Sequence, residues 1–209
     1  MMRLRVTSTA IGPDDLAPAV TALRRGGVVA FPTETFYGLA VDPRSAPAVK
    51  AIFDLKKRGR DQPLPLIASS VDQIADHVGT LTGLAERLAS RGWPGPLTLI
   101  IPASPRLCED VHLSTGKVAV RVSANPVARA LAHAAAHAIT STSANISGEP
   151  PASTADHVAA SFGAGIDVLI DAGATPGGLP STIIDVTGDA PVLVRAGAVP
   201  WERVLEFST

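Results

Sequence analysis

Hydroxyl and amide side chains follow several short apolar runs of the sequence, and they are the residues best suited to chemistry. Such hydroxyls belong to Thr33, Ser141 and Ser143, and Asn145 adds an amide, while Ser181 follows a Pro/Gly loop at the opening of a predicted strand. Hydroxyls donate hydrogen bonds to anions, and nearby guanidinium groups can bind carboxylates or phosphates with two parallel hydrogen bonds. Together with separated lysines and arginines, these side chains indicate an enzyme or a binding protein for a phosphorylated ligand.

Basic side chains are spread along the sequence in positions from which they could converge on such a ligand. Lys56 lies at the end of a predicted helix, Arg58 directly follows that helix, and Arg195 closes the last predicted strand. Lys117 and Arg121 bracket another predicted strand. Loops at strand ends are where α/β folds place ligand sites. Structural roles stay open, since Ser and Thr also cap helices and turns, and a basic residue complements the dipole at a helix C-terminus.

The sequence lacks the common nucleotide and hydrolase motifs. No G-x-G-x-x-G follows a predicted strand, Gly116 and Lys117 lack the rest of a P-loop, and no G-x-S-x-G is present. His133 and His137 lie four residues apart on a predicted helix, as metal ligands can. However, no acidic partner completes a zinc motif, and Cys108 is the only cysteine. We therefore predict no metal site formed by the protein itself.

Predicted strands and helices alternate along the chain and position these residues. Strands are predicted at residues 4–9, 28–31, 64–68, 97–101, 118–122, 138–142, 168–171, 182–186 and 192–194. Helices are predicted at residues 13–25, 46–57, 71–77, 81–90, 126–137, 155–162 and 201–207. The apolar runs indicate a mixed sheet covered by helices, in a single α/β or α+β domain. This domain is expected to cover residues 1–209, with its motif-bearing core at about 12–200.

The composition is typical of an ordinary folded protein. The chain has 209 residues, of which 46% are hydrophobic, enough for a substantial core. Its net charge of -1 gives no overall attraction to nucleic acid or to an anionic membrane. The lone cysteine excludes an internal disulfide, and neither a leader nor an apolar membrane-spanning run is apparent. We therefore expect a cytoplasmic protein without a membrane partner.

Taken in order, the polar clusters resemble the YrdC-type threonylcarbamoyl-adenylate synthase family in its short, single-domain form. The similarity runs from about Gly26 to Gly197. The matching stretches are residues 31–39 (FPTETFYGL), 52–58 (IFDLKKR), 93–99 (WPGPLTL), 118–121 (VAVR), 143–148 (SANISG), 181–185 (STIID) and 193–197 (LVRAG). Each string is short, but their common order and spacing make the resemblance specific.

The resemblance implies both a fold and an activity. The fold is a twisted α/β domain with a mixed parallel and antiparallel sheet, flanking helices and a large concave cavity. The activity is that of a nucleotidyltransferase, which makes threonylcarbamoyl-AMP and diphosphate from L-threonine, bicarbonate or CO₂, and ATP, assisted by Mg²⁺. Its product serves the N6-threonylcarbamoyladenosine modification at position 37 of tRNA. Because a carbamate is already an anionic nucleophile, this step needs positioning and charge neutralisation more than a strong general base.

Residue roles are carried over from the family motifs by resemblance. The residues implied to bind threonine are Thr33, Arg121, Ser141 and Ser181, with Arg121 on the carboxylate. The residues implied to bind ATP are Arg58, Gln62, Lys117, Ser143, Asn145 and Arg195. Lys56, Arg58 and Arg195 lie at the phosphates and are the implied catalytic residues.

Three positions depart from the family pattern, and one of them is Pro151, where some members have Ser. Gly59 stands where the family usually has Pro after Arg58, which loosens the loop. Ile67 stands where many relatives carry His, so that one threonine contact is missing or replaced. Glu34 and Tyr37 are expected to be structural, because a turn that follows a strand needs polar and aromatic groups to fix it.

Two other functions stay open at this point. The same fold occurs in carbamoyltransferases that use carbamoyl phosphate, although these carry further domains. Some relatives bind double-stranded RNA, and the basic residues 56–60 could contact phosphates of such an RNA or of tRNA. The expected transient protein partners are the downstream tRNA threonylcarbamoyl-transferase proteins.

Overall fold

The computed structural model of the chain describes residues 1–7, 11–57, 59 and 62–208, which form two mixed sheets with helices packed on them. The first sheet consists of β1 (Met2–Arg5), β2 (Val29–Pro32), β3 (Tyr37–Ala40), β8 (Thr142–Ser143) and β9 (Val168–Asp171). Their order is β1-β9-β2-β3-β8. Strands β2 and β3 form an antiparallel hairpin, and β9 runs parallel to both β1 and β2.

The second sheet is also mixed. It consists of β4 (Leu66–Ala68), β5 (Leu97–Pro102), β6 (Lys117–Val122), β7 (Ile139–Thr140), β10 (Thr182–Asp185) and β11 (Val192–Arg195). Their order is β11-β10-β5-β6-β4-β7. The central β5–β6 pair is antiparallel, while β10 pairs with β5, and β4 with β6, in parallel.

Helices connect these strands, and several begin at a capping side chain. The helices are α1 (Ala17–Arg24), α2 (Ala46–Lys56), α3 (Val71–His77), α4 (Leu84–Gly92), α5 (Glu109–His112), α6 (Pro126–Ala135), α7 (Ala155–Phe162) and α8 (Trp201–Ser208). The side chains that accept first-turn N–H groups belong to Ser45, Ser70, Asn125 and Thr154. Within the described ranges, no helix is long and apolar enough to cross a membrane.

Two apolar clusters bury the central strands on both faces. Alternate residues of a strand point to opposite faces of its sheet. Phe31 of β2 therefore packs with Leu131 of α6 in one cluster, whereas its neighbour Ala30 belongs to the other. That other, larger cluster also contains Tyr37 of β3 and Phe53 of α2. Burial on both faces explains why these strands read as continuous apolar runs.

The predicted mixed α/β fold is confirmed, and its strands are divided between two sheets rather than one. The bounds predicted for α3, α7 and β9 agree with the structure. The first strand begins and ends earlier than predicted, and residues 8 and 9 of that prediction lie outside the described residues. Strand β3 was not predicted because it directly follows a polar turn, and helix α5 was not predicted because it has only 4 residues.

The predicted strand at 138–142 is two short strands that belong to different sheets. Strand β7 pairs with β4 of the second sheet, and β8 pairs with β3 of the first. Ser141 is the residue between them, and its N–H donates to the carbonyl oxygen of Pro65 at 2.7 Å. The chain thus crosses from one sheet to the other at Ser141.

Gly197→Ala is expected to lower the free energy of unfolding by about 1–3 kcal/mol, a usual cost of forcing volume into a packed region. A Cβ at Gly197 would lie 2.3 Å from the carbonyl oxygen of Pro180 and 2.6 Å from the backbone nitrogen of Thr182. Gly188→Ala is the matched control, because a Cβ there meets no atom of the described residues within 4 Å. Urea denaturation measures both variants, and equal stabilities would contradict the prediction.

Candidate active site

Residues from both sheets line one cavity of about 700 Å³, a size typical of small-molecule sites. Part of the lining is apolar and includes Ile100, Ala119 and Ile183. The predicted site residues that line it are Thr33, Gln62, Arg121, Ser141, Ser143, Ser181 and Arg195. The fold therefore gathers around one space polar side chains that lie far apart in the sequence.

Arg121 is a buried cation whose charge is balanced by Glu34, in the turn between β2 and β3. Arg121 Nε lies 2.9 Å from Glu34 Oε1, and the two side chains are 6% and 11% exposed. The other carboxylate oxygen of Glu34 accepts a hydrogen bond from Ser123 Oγ. Among the described residues, Nη1 and Nη2 of Arg121 have no hydrogen-bond partner. They are therefore available to a carboxylate or phosphate in the cavity.

Arg195 and Ser181 form a second polar group on the cavity wall. Arg195 Nη2 donates to the Ser181 carbonyl oxygen at 2.7 Å and to Ser181 Oγ at 3.0 Å. Thr98 Oγ1 also donates to Ser181 Oγ, at 2.8 Å. Because both lone pairs of this hydroxyl are engaged, its own hydrogen can be donated to a ligand. Partial burial, with the nearby Arg121 charge, lowers the pKa of Arg195.

Two other predicted threonine contacts, Thr33 and Ser141, differ in what their hydroxyls can offer. Thr33 Oγ1 donates to the Phe36 carbonyl oxygen at 2.7 Å and accepts from the Thr35 N–H at 3.2 Å. A ligand bond to this hydroxyl would require an exchange of partners within the turn. The Ser141 hydroxyl, in contrast, makes no hydrogen bond within the described part of the chain. Ser141 is therefore the readier donor.

Lys56 holds the loop that contains Ser143 and Asn145. Its side chain is buried, and Nζ donates to the carbonyl oxygens of Ser143 and Asn145, the latter at 2.7 Å, and to Asn145 Oδ1 at 3.2 Å. These residues line a smaller pocket of about 230 Å³, which shares Gln62 and Ser143 with the main cavity. A buried ammonium needs such acceptors, so Lys56 fixes the conformation of this loop.

Residues 173–178, which precede Ser181, are hydrogen-bonded to the β2–β3 hairpin. Tyr37 donates its hydroxyl hydrogen to the Gly173 carbonyl oxygen at 2.7 Å, and burial raises the Tyr37 pKa to about 12. The Gly177 N–H donates to the Thr35 carbonyl oxygen at 2.8 Å. Tyr37 is therefore structural in this arrangement, because it holds a segment whose Gly178 lines the cavity.

Three positions singled out in the sequence either line neither pocket or lie outside the described residues. Lys117 Nζ pairs with Asp185 Oδ2 at 3.0 Å, and Lys117 lines neither pocket. Arg58 lies outside the described residues. Ile67 is fully buried in the apolar cluster that contains Phe31, so it makes no contact with the cavity.

The sequence interpretation missed the partnership between Arg121 and Glu34. A signal for it was present, because an arginine inside an apolar strand is buried only when an acidic group balances its charge. Glu34 lies in the adjacent motif, yet the sequence does not indicate which acid approaches β6. Ser123 and Thr98, which orient Glu34 and Ser181, carry no such signal, since they resemble ordinary strand residues.

The fold and cavity define an α/β protein with two arginines on one cavity, and comparisons with known proteins identify its family. The family model Sua5_yciO_yrdC, described as "Telomere recombination", matches residues 21–197. The threonylcarbamoyl-AMP synthase of Pyrococcus abyssi is 42% identical over 182 residues, which are 87% of this chain and 54% of that protein. The chain belongs to the Sua5/YciO/YrdC family, so the resemblance inferred from its motifs is confirmed.

Relatives of two lengths match this chain. It spans little more than half of the Pyrococcus abyssi protein, at 54%, but 95% of the threonylcarbamoyl-AMP synthase of Thiobacillus denitrificans, which is 41% identical over 86% of this chain. The solved structure of P. abyssi Sua5 complexed with L-threonine superposes with a TM-score of 0.91 at 38% identity. That match covers 99% of this chain and 60% of the other.

Arg121→Met is expected to lower the free energy of unfolding by about 2 kcal/mol or more, because it leaves the Glu34 carboxylate without its cation. Adding Glu34→Gln should recover much of this loss. Lys117→Met, which breaks a more exposed ion pair with Asp185, is the control and should cost less than about 1 kcal/mol. Urea denaturation compares the variants, and the prediction fails if the single and double changes at 121 and 34 are equally unstable.

Proposed function

We propose that the chain is an L-threonylcarbamoyladenylate synthase, which converts L-threonine, bicarbonate or CO₂, and ATP into threonylcarbamoyl-AMP and diphosphate. The observation that carries this proposal is the pair of guanidinium groups, Arg121 and Arg195, on one cavity with two hydroxyls able to donate. A ligand set that brings a carboxylate and a polyphosphate supplies acceptors for the remaining N–H groups of these guanidiniums.

The relatives support the same reaction. The matched proteins of P. abyssi and T. denitrificans are named threonylcarbamoyl-AMP synthases, and P. abyssi Sua5 has been solved with L-threonine bound. The match to the T. denitrificans protein covers 95% of that protein, so a relative of similar length carries the same name.

The proposed reaction needs no nucleophilic side chain. The threonine nitrogen attacks CO₂ and loses a proton to bicarbonate or water, which gives a carbamate. A carbamate oxygen then attacks the α-phosphorus of ATP, the bond to the α–β bridging oxygen breaks, and diphosphate leaves. Because the nucleophile is already an anion, catalysis consists of alignment and charge neutralisation. In this proposal Arg121, Ser141 and Ser181 bind the amino acid, and Arg195 neutralises phosphate.

The smaller pocket is the proposed site for the rest of the nucleotide. Gln62, Ser143 and Asn145 supply hydrogen bonds there, and Lys56 acts by holding the loop and adding positive charge. Thr33 and Arg58 keep their predicted roles beside threonine and phosphate, while Lys117 would reach the nucleotide only after leaving Asp185.

Mg²⁺ is proposed to enter as a complex with ATP. Within the described ranges, no group of three His, Cys, Asp or Glu side chains could hold a metal ion. Glu34, the acid that contacts Arg121, already uses both carboxylate oxygens. Mg²⁺ is commonly held by substrate phosphates and water, and it then neutralises polyphosphate charge.

The proposed product would pass to tRNA threonylcarbamoyl-transferase proteins, which modify adenosine at position 37 of tRNA, and a cytoplasmic location would suit that role. Direct RNA binding has less support, because Lys56 of the basic segment is buried and its ammonium is engaged by Ser143 and Asn145. For a carbamoyl-phosphate reaction, the support is likeness of fold alone: a HypF structure superposes with a TM-score of 0.74 at 18% identity.

Threonine-dependent release of diphosphate is the direct test of the proposed activity. With MgATP and bicarbonate, we expect release with L-threonine to exceed release with serine by about tenfold or more, the discrimination that one methyl group in a pocket provides. Valine, which lacks the hydroxyl, should also be a poor substrate. Release that is equal with and without amino acid would contradict the proposal, and carbamoyl phosphate and double-stranded RNA would then be tested as ligands.

Arg195→Ala is expected to lower the turnover number by about a hundredfold, as the loss of a charge-stabilising donor commonly does. The fold should persist, because Arg195 lies on the exposed edge strand β11. The matched control is Arg203→Ala, which removes an exposed helical arginine paired with Glu206. Diphosphate release measures turnover, and circular dichroism checks folding. A turnover equal to that of the control would remove Arg195 from the active site.

A further inference from the structure

We propose that Glu34 is a positioning residue, which acts with Ser123 to hold Arg121 in the orientation that binds the carboxylate of the amino-acid substrate. This inference rests on the proposed function and deepens it. Glu34 would not touch the substrate. It would set the affinity for threonine through Arg121, in addition to its structural role in the turn.

The contacts of Glu34 fix it at both carboxylate oxygens. Oε1 accepts from Arg121 Nε at 2.9 Å, and Oε2 accepts from Ser123 Oγ. Ser123 is fully buried, and its Oγ also accepts the Asn125 N–H at 3.1 Å, at the start of α6. Since the Ser123 hydroxyl is itself anchored, the Glu34 carboxylate has little freedom to rotate.

The geometry of the ion pair decides which atoms of Arg121 remain available. A carboxylate can pair with a guanidinium through Nε and one Nη, or through both Nη atoms. Glu34 contacts Nε, and within the described chain Nη1 and Nη2 make no hydrogen bond. The fork formed by Nη1 and Nη2 is thus left for a second carboxylate, in the cavity that Arg121 lines.

Charge balance gives Glu34 a second effect on the same arginine. Arg121 and Arg195 line one cavity, and the charge of Arg121 helps to lower the pKa of Arg195. Like charges that share a space repel one another, so an unpaired Arg121 side chain would tend to turn away from Arg195. The Glu34 carboxylate offsets this repulsion and keeps Arg121 at the cavity before any ligand binds.

Glu34 connects the two sheets through its contacts with Arg121 and Ser123. Glu34 belongs to the β2–β3 turn of the first sheet, and Arg121 and Ser123 lie on the same face at the end of β6 and just beyond it, in the second sheet. Misplacing a binding group by about 1 Å can cost a hundredfold in rate. A residue that fixes Arg121 relative to both sheets therefore affects substrate binding without contacting the substrate.

Steady-state kinetics of diphosphate release, with threonine and ATP varied separately, test the inference. For Glu34→Ala we expect the threonine KM to rise by about tenfold or more, while the ATP KM changes by less than about twofold. Glu34→Gln keeps the length of the side chain and an acceptor for Arg121 Nε, so its threonine KM should rise much less. The matched control is Glu86→Ala, which removes an exposed carboxylate on α4 and should leave both constants unchanged.

A double-mutant cycle separates positioning from general stabilisation. If Glu34 acts through Arg121, then Glu34→Ala should raise the threonine KM no further in a protein that already carries Arg121→Lys. Independent effects on the fold would add instead. Should Glu34→Ala fail to fold, Ser123→Ala removes one anchor of the carboxylate and should raise the threonine KM by about threefold, again without a matching change for ATP.

The outcomes distinguish this inference from the proposed function. Wild-type protein without threonine-dependent diphosphate release would overturn the proposed function, and the role of Glu34 with it. An active wild type would overturn the inference alone if Glu34→Ala left the threonine KM unchanged or raised both KM values in parallel. Equal threonine KM values for Glu34→Ala and Glu34→Gln, or additive effects with Arg121→Lys, would also overturn it.

Discussion

A carboxylate on one sheet meets a guanidinium on the other, and much of the site depends on that contact. Glu34 and Arg121 are both largely buried, and a buried charge is stable only when it is paired. The ion pair therefore constrains the distance between the β2–β3 hairpin and β6. The cavity lies where the sheets approach each other, so its shape depends on this pair as well as on the apolar clusters. Arg121, which lines the cavity, thus also helps to fix the two sheets relative to each other.

Lys56 is another buried charge with bonded partners, and it lies at the smaller pocket. Its ammonium donates hydrogen bonds to oxygen atoms of Ser143 and Asn145. These bonds fix the loop in the way that backbone hydrogen bonds fix a helix or a strand. Buried charges therefore fix two loops that local sequence preference alone would leave variable. Binding groups held in this way lose little conformational freedom when a ligand arrives, which favours affinity.

Sequence reasoning reached the fold class, the family and several of the polar residues that line the cavity. Helices α3 and α7 and strand β9 could be bounded because their apolar patterns and caps are local signals. Strand β3 (Tyr37–Ala40) was not predicted, because the turn that joins it to β2 is polar and interrupts the apolar pattern. The saturation of the Thr33 hydroxyl, the Lys117–Asp185 pair and the burial of Ile67 depend on contacts between distant segments, so only the folded chain reveals them.

The crossing between β7 and β8 limits how this region of the chain can vary. One residue, Ser141, connects strands that belong to different sheets, and its neighbours are paired on both sides. Adding or removing a residue there would shift one of the two pairings by a position and turn every following side chain to the opposite face. Length is therefore as constrained as identity between Thr140 and Asn145. When distant proteins are aligned to this one, a gap in that stretch should weigh more heavily than several substitutions.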